Sequence, residues 1–327
     1  MTENDTFVLG LPDIQKAERA LAPHIVQTPL LESPRLNALC GGRVLVKAEC
    51  LQKTGSFKIR GALNKLSLLT PAQRRQGVVA FSSGNHGQGV AAAARLFGVE
   101  ATVFMPGDSP RVKLESVRFQ GAKVVLYDRQ TEDREALAAQ WVARTGAILV
   151  HPFDDPDVMA GQGTIGLELA RQVPLAEVHA VLVPAGGGGL IAGIASALSA
   201  CGPSPLLYAV EPAACDDTAR SLAAAARLSN APGSHSICDA LLTPSPGVRT
   251  FAVNRRLLAG GLVVSDDEVA AAMAVAFSTL KLVLEPGGAV ALAAALRHRE
   301  LIEGRTTVVI ASGGNVDAAT YARILQS

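Results

Sequence analysis

Short apolar runs alternate along the chain with longer segments in which apolar positions recur at helical spacing. The runs at 44–48, 78–81, 102–105, 124–127, 148–150, 180–183, 206–210 and 307–310 lack strict polar alternation, which predicts strands buried on both faces. The intervening patterns predict helices. One opens at Ser109-Pro110, an N-cap followed by proline at the first helical position, and closes at Gly121. Others cover 132–144, 190–200, 219–226 and 266–282. Such strand–helix alternation implies an α/β architecture with parallel sheets. No repeat, low-complexity tract or linker divides the 327 residues. That length suits about two domains, which must then be interleaved or closely packed.

Composition narrows the class. With 49% apolar and 18% charged residues, the chain can bury a large core and is not disordered. Lys plus Arg total 30 against 29 for Asp plus Glu. That balance argues against the clustered basic surface that nucleic acid or an anionic membrane requires. Aromatics at 4% argue against base-stacking platforms. The first nine residues are polar and acidic, unlike a signal peptide. The uncharged stretch 178–210 is broken by Pro184, Gly202, Pro203, Pro205 and a glycine run, so it reads as strand, turn and helix rather than a membrane span. Cys40, Cys50, Cys201, Cys215 and Cys238 are odd in number and never spaced C-x-x-C. They predict neither a disulfide framework nor a structural zinc site, and a reducing cytoplasm is the expected location.

Ligands of open α/β sheets sit beyond the carboxyl ends of strands. Three such ends carry glycine-bearing turns: Ser82-Ser83-Gly84-Asn85-His86-Gly87, Pro184-Ala185-Gly186-Gly187-Gly188-Gly189 and Ala311-Ser312-Gly313-Gly314-Asn315. They suggest one ligand wrapped by backbone amides. Gly186, Gly187, Gly188 and Gly189 precede a helix of small residues, and free N–H groups there suit a phosphate. A tight turn that needs glycine for conformation alone is the alternative, but four in a row exceed what a turn needs. Gly187-x-Gly189-x-x-Ala192 also fits a degenerate dinucleotide fingerprint, with Glu211 where a ribose-binding acid would sit. A nicotinamide-dependent oxidoreductase therefore stays open, as does a non-catalytic binder of phosphorylated metabolites. Lys58 stands beside Gly55 and Ser56 at a predicted helix start, where a cation is disfavoured. It is either a plain surface charge or an amine committed to a Schiff base.

Taken together, these residues resemble the pyridoxal-phosphate enzymes of fold type II, the tryptophan-synthase-β-like fold. Within them the chain is similar to the serine/threonine dehydratase, serine racemase and 3-hydroxyaspartate dehydratase group. Ser56-Phe57-Lys58-x-Arg60-Gly61-Ala62 resembles the Schiff-base lysine motif. Ser82-Ser83-Gly84-Asn85-His86-Gly87-Gln88 resembles the substrate-carboxylate loop, and Ser312-Gly313-Gly314-Asn315 the segment that meets the pyridine nitrogen. The resemblance runs from about Thr28 to the C-terminus. It implies that Lys58 holds the cofactor and serves as base at the α-carbon. Phe57 packs on the ring, Asn85 binds the phenolic oxygen, the four glycines take the phosphate, and Ser312 meets the ring nitrogen. Ser82, Ser83, Asn85 and His86 face the substrate. A serine cannot hold the ring nitrogen protonated, so loss of a β-leaving group suits this site better than transamination.

The resemblance also assigns roles with open alternatives. Ser83 would face Lys58 across the α-carbon and permit racemisation; capping the next helix is the other reading. Glu211, the Cys215 carbonyl and Asp217 resemble a Mg²⁺, Ca²⁺ or Mn²⁺ site, or else an acidic helix cap beside Asp216. Arg134 aligns with an arginine that reaches a second substrate carboxylate, or it is a solvated charge. His86 and His151 read as structural or substrate-orienting, since neither has metal-ligand spacing. Glu285, in Glu285-Pro286-Gly287-Gly288-Ala289, lines the pocket or marks a helix-ending turn. Phe153 departs from the polar residue often found in racemase-like relatives.

The implied organisation is a large cofactor-binding domain, 1–69 and 153–327, and a small mobile domain, 70–152. The implied reaction eliminates water from L-threonine, L-serine or 3-hydroxyaspartate and releases a 2-keto acid and ammonia. A homodimer, without a nucleic-acid or membrane partner and without the regulatory domain of biosynthetic threonine dehydratases, completes the expectation.

Overall fold

Runs that are apolar on both faces need cover on both faces, and the structure supplies it for most of them; the run 124–127 instead lies at a sheet edge with Leu126 exposed. The structure is a computed structural model that describes residues 7–82 and 84–326. Its strands are β1 (Leu30–Glu32), β2 (Arg43–Lys47), β3 (Val78–Phe81), β4 (Ala101–Pro106), β5 (Lys123–Tyr127), β6 (Ile148–Leu149), β7 (Val178–Pro184), β8 (Leu206–Pro212), β9 (Gly260–Val264) and β10 (Thr306–Ile310). They form a six-stranded sheet, β1-β2-β10-β7-β8-β9, and a four-stranded sheet, β5-β4-β3-β6. Every pairing is parallel except β1 with β2. The four-stranded sheet comes from one continuous stretch, and the larger sheet from both sides of it.

Alternate residues of the six-stranded sheet enter different cores. Val181, Val183, Leu207, Ala209, Val308 and Ile310 pack under the helices Pro156–Gln172 and Gly189–Ala200. Ala180, Leu182, Val210 and Val309 face the helices Asp266–Leu280 and Pro286–Arg297. Among the described residues, no helix is long and apolar enough to cross a membrane.

All eight predicted strands are present, with ends moved by one or two residues. Two strands escaped prediction. β1 has only three residues, and β9 opens on Gly260-Gly261, which reads as a turn. The helix predicted from Ser109-Pro110 runs Arg111–Phe119. Pro110 has ψ 133, an extended value, so it occupies the N-cap position and Ser109 does not cap. The helix predicted over 266–282 stops at Leu280, where Lys281 turns left-handed at φ 59. Glu285 begins a helix rather than ending one.

The topology brings the carboxyl ends of β3, β7 and β10 around one cleft. Residues 50–57 are laced along the chain after β10. Cys50 N–H donates to the Ala311 carbonyl at 2.9 Å, Phe57 N–H to Ser312 at 3.1 Å and Gly314 N–H to Gly55 at 2.9 Å. That lacing sets Lys58 beside Ser312.

Candidate active site

Lys58 is the first residue of the helix Lys58–Ser67. Its ammonium lies 5.1 Å from the Phe57 ring centroid and donates to the Pro152 carbonyl at 2.7 Å. Burial lowers its pKa to about 8. The helix start is anchored by the wholly buried Arg60. Arg60 Nε donates to Glu49 at 2.8 Å and Nη1 to Glu168 at 2.7 Å. Lys47 pairs with Glu168 from the other side. The plain-surface reading of Lys58 therefore fails. The side chain opens into a cleft together with Phe57, Ser82, Asn85, Phe153 and Ser312.

The glycine loop closes another wall. A Cβ on Gly187 would stand 2.3 Å from the Phe153 ring, so nothing larger than glycine fits there. Gly188 has φ 88, a left-handed value. Conformation and close packing thus account for part of the run. The loop carbonyls are tied down on the far side. Gly187 accepts from the Thr250 hydroxyl at 2.6 Å, and Gly188 accepts from the Asn254 amide at 3.4 Å. The helix that carries both, Val248–Leu257, is capped by Asp154, which accepts from Arg249 N–H at 2.8 Å and Thr250 N–H at 3.0 Å. Among the described residues, no group accepts from the N–H of Gly187, Gly188 or Gly189, so these donors remain for an anion. Gly186 and Gly189 complete that wall.

The third wall follows β3. Ser82 Oγ accepts from the N–H groups of Gly84 and Gly87, each at 2.9 Å, which fixes the turn and leaves its own hydrogen to donate. Ser83 lies outside the described residues. Asn85 donates to Glu285, and its Oδ1 accepts from Asn315 Nδ2 at 2.9 Å. His86 Nε2 meets the Val150 carbonyl at 2.8 Å, so that nitrogen carries the proton. Burial, and then the nearby Lys58, lower His86 to about 3, and the ring is neutral. His151 is structural: its Nδ1 accepts from Asp154 N–H at 2.9 Å, and burial lowers it to about 4. Arg134 is half-buried on the cleft wall, its guanidinium 5.4 Å from the Phe81 ring centroid. It is not the freely solvated charge of the alternative reading.

Glu211, Cys215 and Asp217 lie away from this cleft, at the end of β8 and the start of the helix Asp217–Ala224. Glu211 accepts from Thr218 N–H at 3.0 Å and Ala219 N–H at 2.8 Å. The capping reading therefore has geometric substance, although the cap is Glu211 and not Asp216. The same bonds occupy the acid that a dinucleotide ribose would need. Asp217 Oδ2 is buried and has no partner among the described residues. Burial, and then Asp217, push Glu211 up to about 8; burial pushes Asp217 up to about 6. Among the described residues, no cluster of three His, Cys, Asp or Glu side chains is set to hold a metal; here the third donor would be the Cys215 carbonyl.

Sequence reasoning passed over Asp154, Thr250 and Asn254, which hold the glycine loop, and Lys113, which pairs with Glu285 at 2.9 Å and Asp239 at 2.7 Å. A signal for Lys113 existed: it stands four residues before the buried Val117, on the inner face of its helix.

Residues 21–313 match the profile of the family described as pyridoxal-phosphate dependent enzyme. The chain is 42% identical over 314 residues to an L-threo-3-hydroxyaspartate ammonia-lyase from Pseudomonas sp, covering 96% of this chain and 98% of that one. Its structure is similar to that of maize serine racemase, with a TM-score of 0.92, 38% identity and 98% of both chains covered. It is also similar to the threonine deaminase of T.th., with a TM-score of 0.88, 46% identity, and 94% of this chain and 99% of that one covered.

Proposed function

The chain belongs to the pyridoxal-phosphate-dependent enzymes, in fold type II, and from that premise we propose that it acts on 3-hydroxyaspartate in preference to threonine or serine. It is an ammonia-lyase for β-hydroxy-α-amino acids, working by β-elimination. The preference rests on one observation: Arg134, half-buried on the wall of the cleft that holds Lys58. A guanidinium there offers a forked donor to a second substrate carboxylate, which serine and threonine lack.

The residues of the cleft fit the cofactor. Lys58 holds it, Phe57 flanks the ring, and the free N–H groups of the glycine loop take its phosphate. The amide of Asn85 keeps one N–H for the phenolic oxygen, and the Ser312 hydroxyl meets the ring nitrogen without ionising it. Bound pyridoxal phosphate supplies the electron sink at the α-carbon. The Lys58 amine, made easier to deprotonate by burial, accepts the α-proton. The Ser82 hydroxyl, its hydrogen free to donate, orients the substrate carboxylate, and Ser83 carries the second proton; His86 has spent its one N–H on the Val150 carbonyl and donates nothing to the substrate.

Residues 70–152 form a small domain that closes over the substrate. A divalent cation sits at Glu211, the Cys215 carbonyl and Asp217; the unpartnered, buried Asp217 Oδ2 beside Glu211 supports this. The working unit is a homodimer in the cytoplasm.

One experiment tests the reading: keto-acid release from serine, threonine and 3-hydroxyaspartate by the wild type, Arg134→Ala and Lys58→Ala. Arg134→Ala should lose about 10–100-fold in kcat/KM for 3-hydroxyaspartate, the scale of a charged hydrogen bond, and little for serine. Equal losses on both substrates, or no turnover of 3-hydroxyaspartate, would overturn the preference. Lys58→Ala should lose both turnover and the visible absorption band; a coloured, active variant would overturn the lysine assignment.

A further inference from the structure

Lys113 is 1% exposed, an unusual place for a lysine. It belongs to the helix Arg111–Phe119, which packs with the four-stranded sheet. Its stem runs directly beneath the turn after β3: a Cβ on Gly84 would stand 2.2 Å from Lys113 Cδ. Its ammonium meets Asp239 at 2.7 Å and Glu285 at 2.9 Å. Both acids belong to the six-stranded side. Asp239 opens the turn Asp239–Leu241, and Glu285 precedes the helix Pro286–Arg297. Glu285 in turn accepts from Asn85, which returns to the four-stranded side and to the cleft.

This chain of contacts decides which way the Asn85 amide points. Its Oδ1 faces a donor, Asn315 Nδ2. Its Nδ2 faces a carboxylate. Only one orientation satisfies both, and in it the N–H left over is a donor toward the cleft. A protonated Glu285 would cease to enforce that choice. We propose that Lys113 is a positioning residue whose ion pairs, made across the two sheets to Asp239 and Glu285, keep Glu285 a carboxylate and so keep Asn85 a donor to the cleft. The proposal rests on the cleft being the cofactor site, because it is the cofactor's acceptor oxygen that needs this donor.

The groups around Glu285 pull in opposite directions. Burial is the largest influence and leaves its carboxyl above the ordinary range; Lys113 brings it down, and Asp239 pushes it up. The remaining neighbours carry no charge at neutral pH: Asn85, and the thiols of Cys50 and Cys238, which burial holds at about 12. Lys113→Met and Asp239→Asn therefore break the same ion pair but act on Glu285 with opposite sign. A merely structural latch would respond in the same direction to both.

The test begins with the cofactor-free chain. Its carboxyl carbons are followed by ¹³C NMR, and Glu285 is the resonance lost in Glu285→Gln. Its titration midpoint should move to higher pH in Lys113→Met and to lower pH in Asp239→Asn. In the loaded enzyme the acid limb of kcat/KM should move the same two ways. Midpoints that shift together, or do not shift, overturn the proposal, and so does an acid limb that ignores the NMR midpoint. If Lys113→Met does not fold, the downward shift in Asp239→Asn alone decides. A wild type without colour or turnover would instead sink the functional reading and leave the NMR result standing.

Discussion

Two pairs of buried carboxyls in this chain are neutralised in opposite ways. Glu49 and Glu168, 0% and 4% exposed, meet two cations of the chain itself, Arg60 and Lys47, both buried. Glu211 and Asp217, 0% and 1% exposed, form no ion pair among the described residues. Backbone N–H groups and Asn230 are their donors, and Arg220 pairs with Asp216 instead. The first pair is complete and structural: it clamps the helix that presents Lys58. The second has no countercharge from the chain, and burial instead raises the pKa of both carboxyls. Burial alone does not distinguish architecture from binding; the source of the countercharge does.

The contrast breaks most severely if Arg60 is removed. Arg60→Met leaves Lys47 as the sole cation for two buried carboxylates. It should destabilise the fold by about 3–5 kcal/mol, the scale for breaking a buried ion pair from one side, as read by urea unfolding. Adding Glu49→Gln should return part of the loss. Full stability in Arg60→Met would show that the first pair is no more neutralised than the second.

A smaller effect sharpens the second pair. Both of its carboxyls have folded pKa values above their ordinary ones, about 8 for Glu211 and about 6 for Asp217. Groups of this kind favour the folded state below the unfolded pKa, and that advantage disappears as pH rises through the folded value. With chelator present, stability should fall as pH rises from about 4 to about 8. Mg²⁺ at a hundredfold excess over its Kd should restore about 2.7 kcal/mol at the upper end. Asp217→Asn should flatten the pH curve and abolish the Mg²⁺ response. A melting temperature indifferent to chelator at every pH would leave Glu211 as a helix cap only. The smallest effect belongs to Arg220→Ala. Its half-exposed contacts, to Asp216 and to Asn230, are of the weak surface kind, so melting temperature and Mg²⁺ response should both change little. A large change would make Arg220 the missing countercharge.

The same contrast explains what was legible in the sequence. Apolar runs set between turn residues let eight strands be read directly, the edge strands β5 and β6 among them although neither is buried on both faces. β1 and β9 are short or glycine-led edge strands and leave no such trace. The three loops around the cleft were legible because glycine follows a strand in each. Arg60 could be read only as part of a motif, and nothing in the spacing joined it to Glu49 or Glu168. Lys113 carried only its helical spacing to Val117, and its acidic partners come from distant segments. Thr250 and Asn254 reach the glycine loop, and Asp154 caps the helix that carries them, from distant segments that only the fold brings together. The roles of Ser312 and Asn85 came from resemblance, because pattern alone cannot tell a ring-facing hydroxyl or amide from any other.

The contact between Gly187 and the Phe153 ring has a consequence for how such a site can change over generations. With 2.3 Å between a would-be Cβ and the ring, Gly187→Ala is barred while phenylalanine stands opposite. Replacing Phe153 with serine or alanine first removes the obstruction and opens the position. The two residues are therefore linked in order, not only in space. A lineage or a designed library that samples position 187 before position 153 meets a barrier that the reverse sequence of steps avoids.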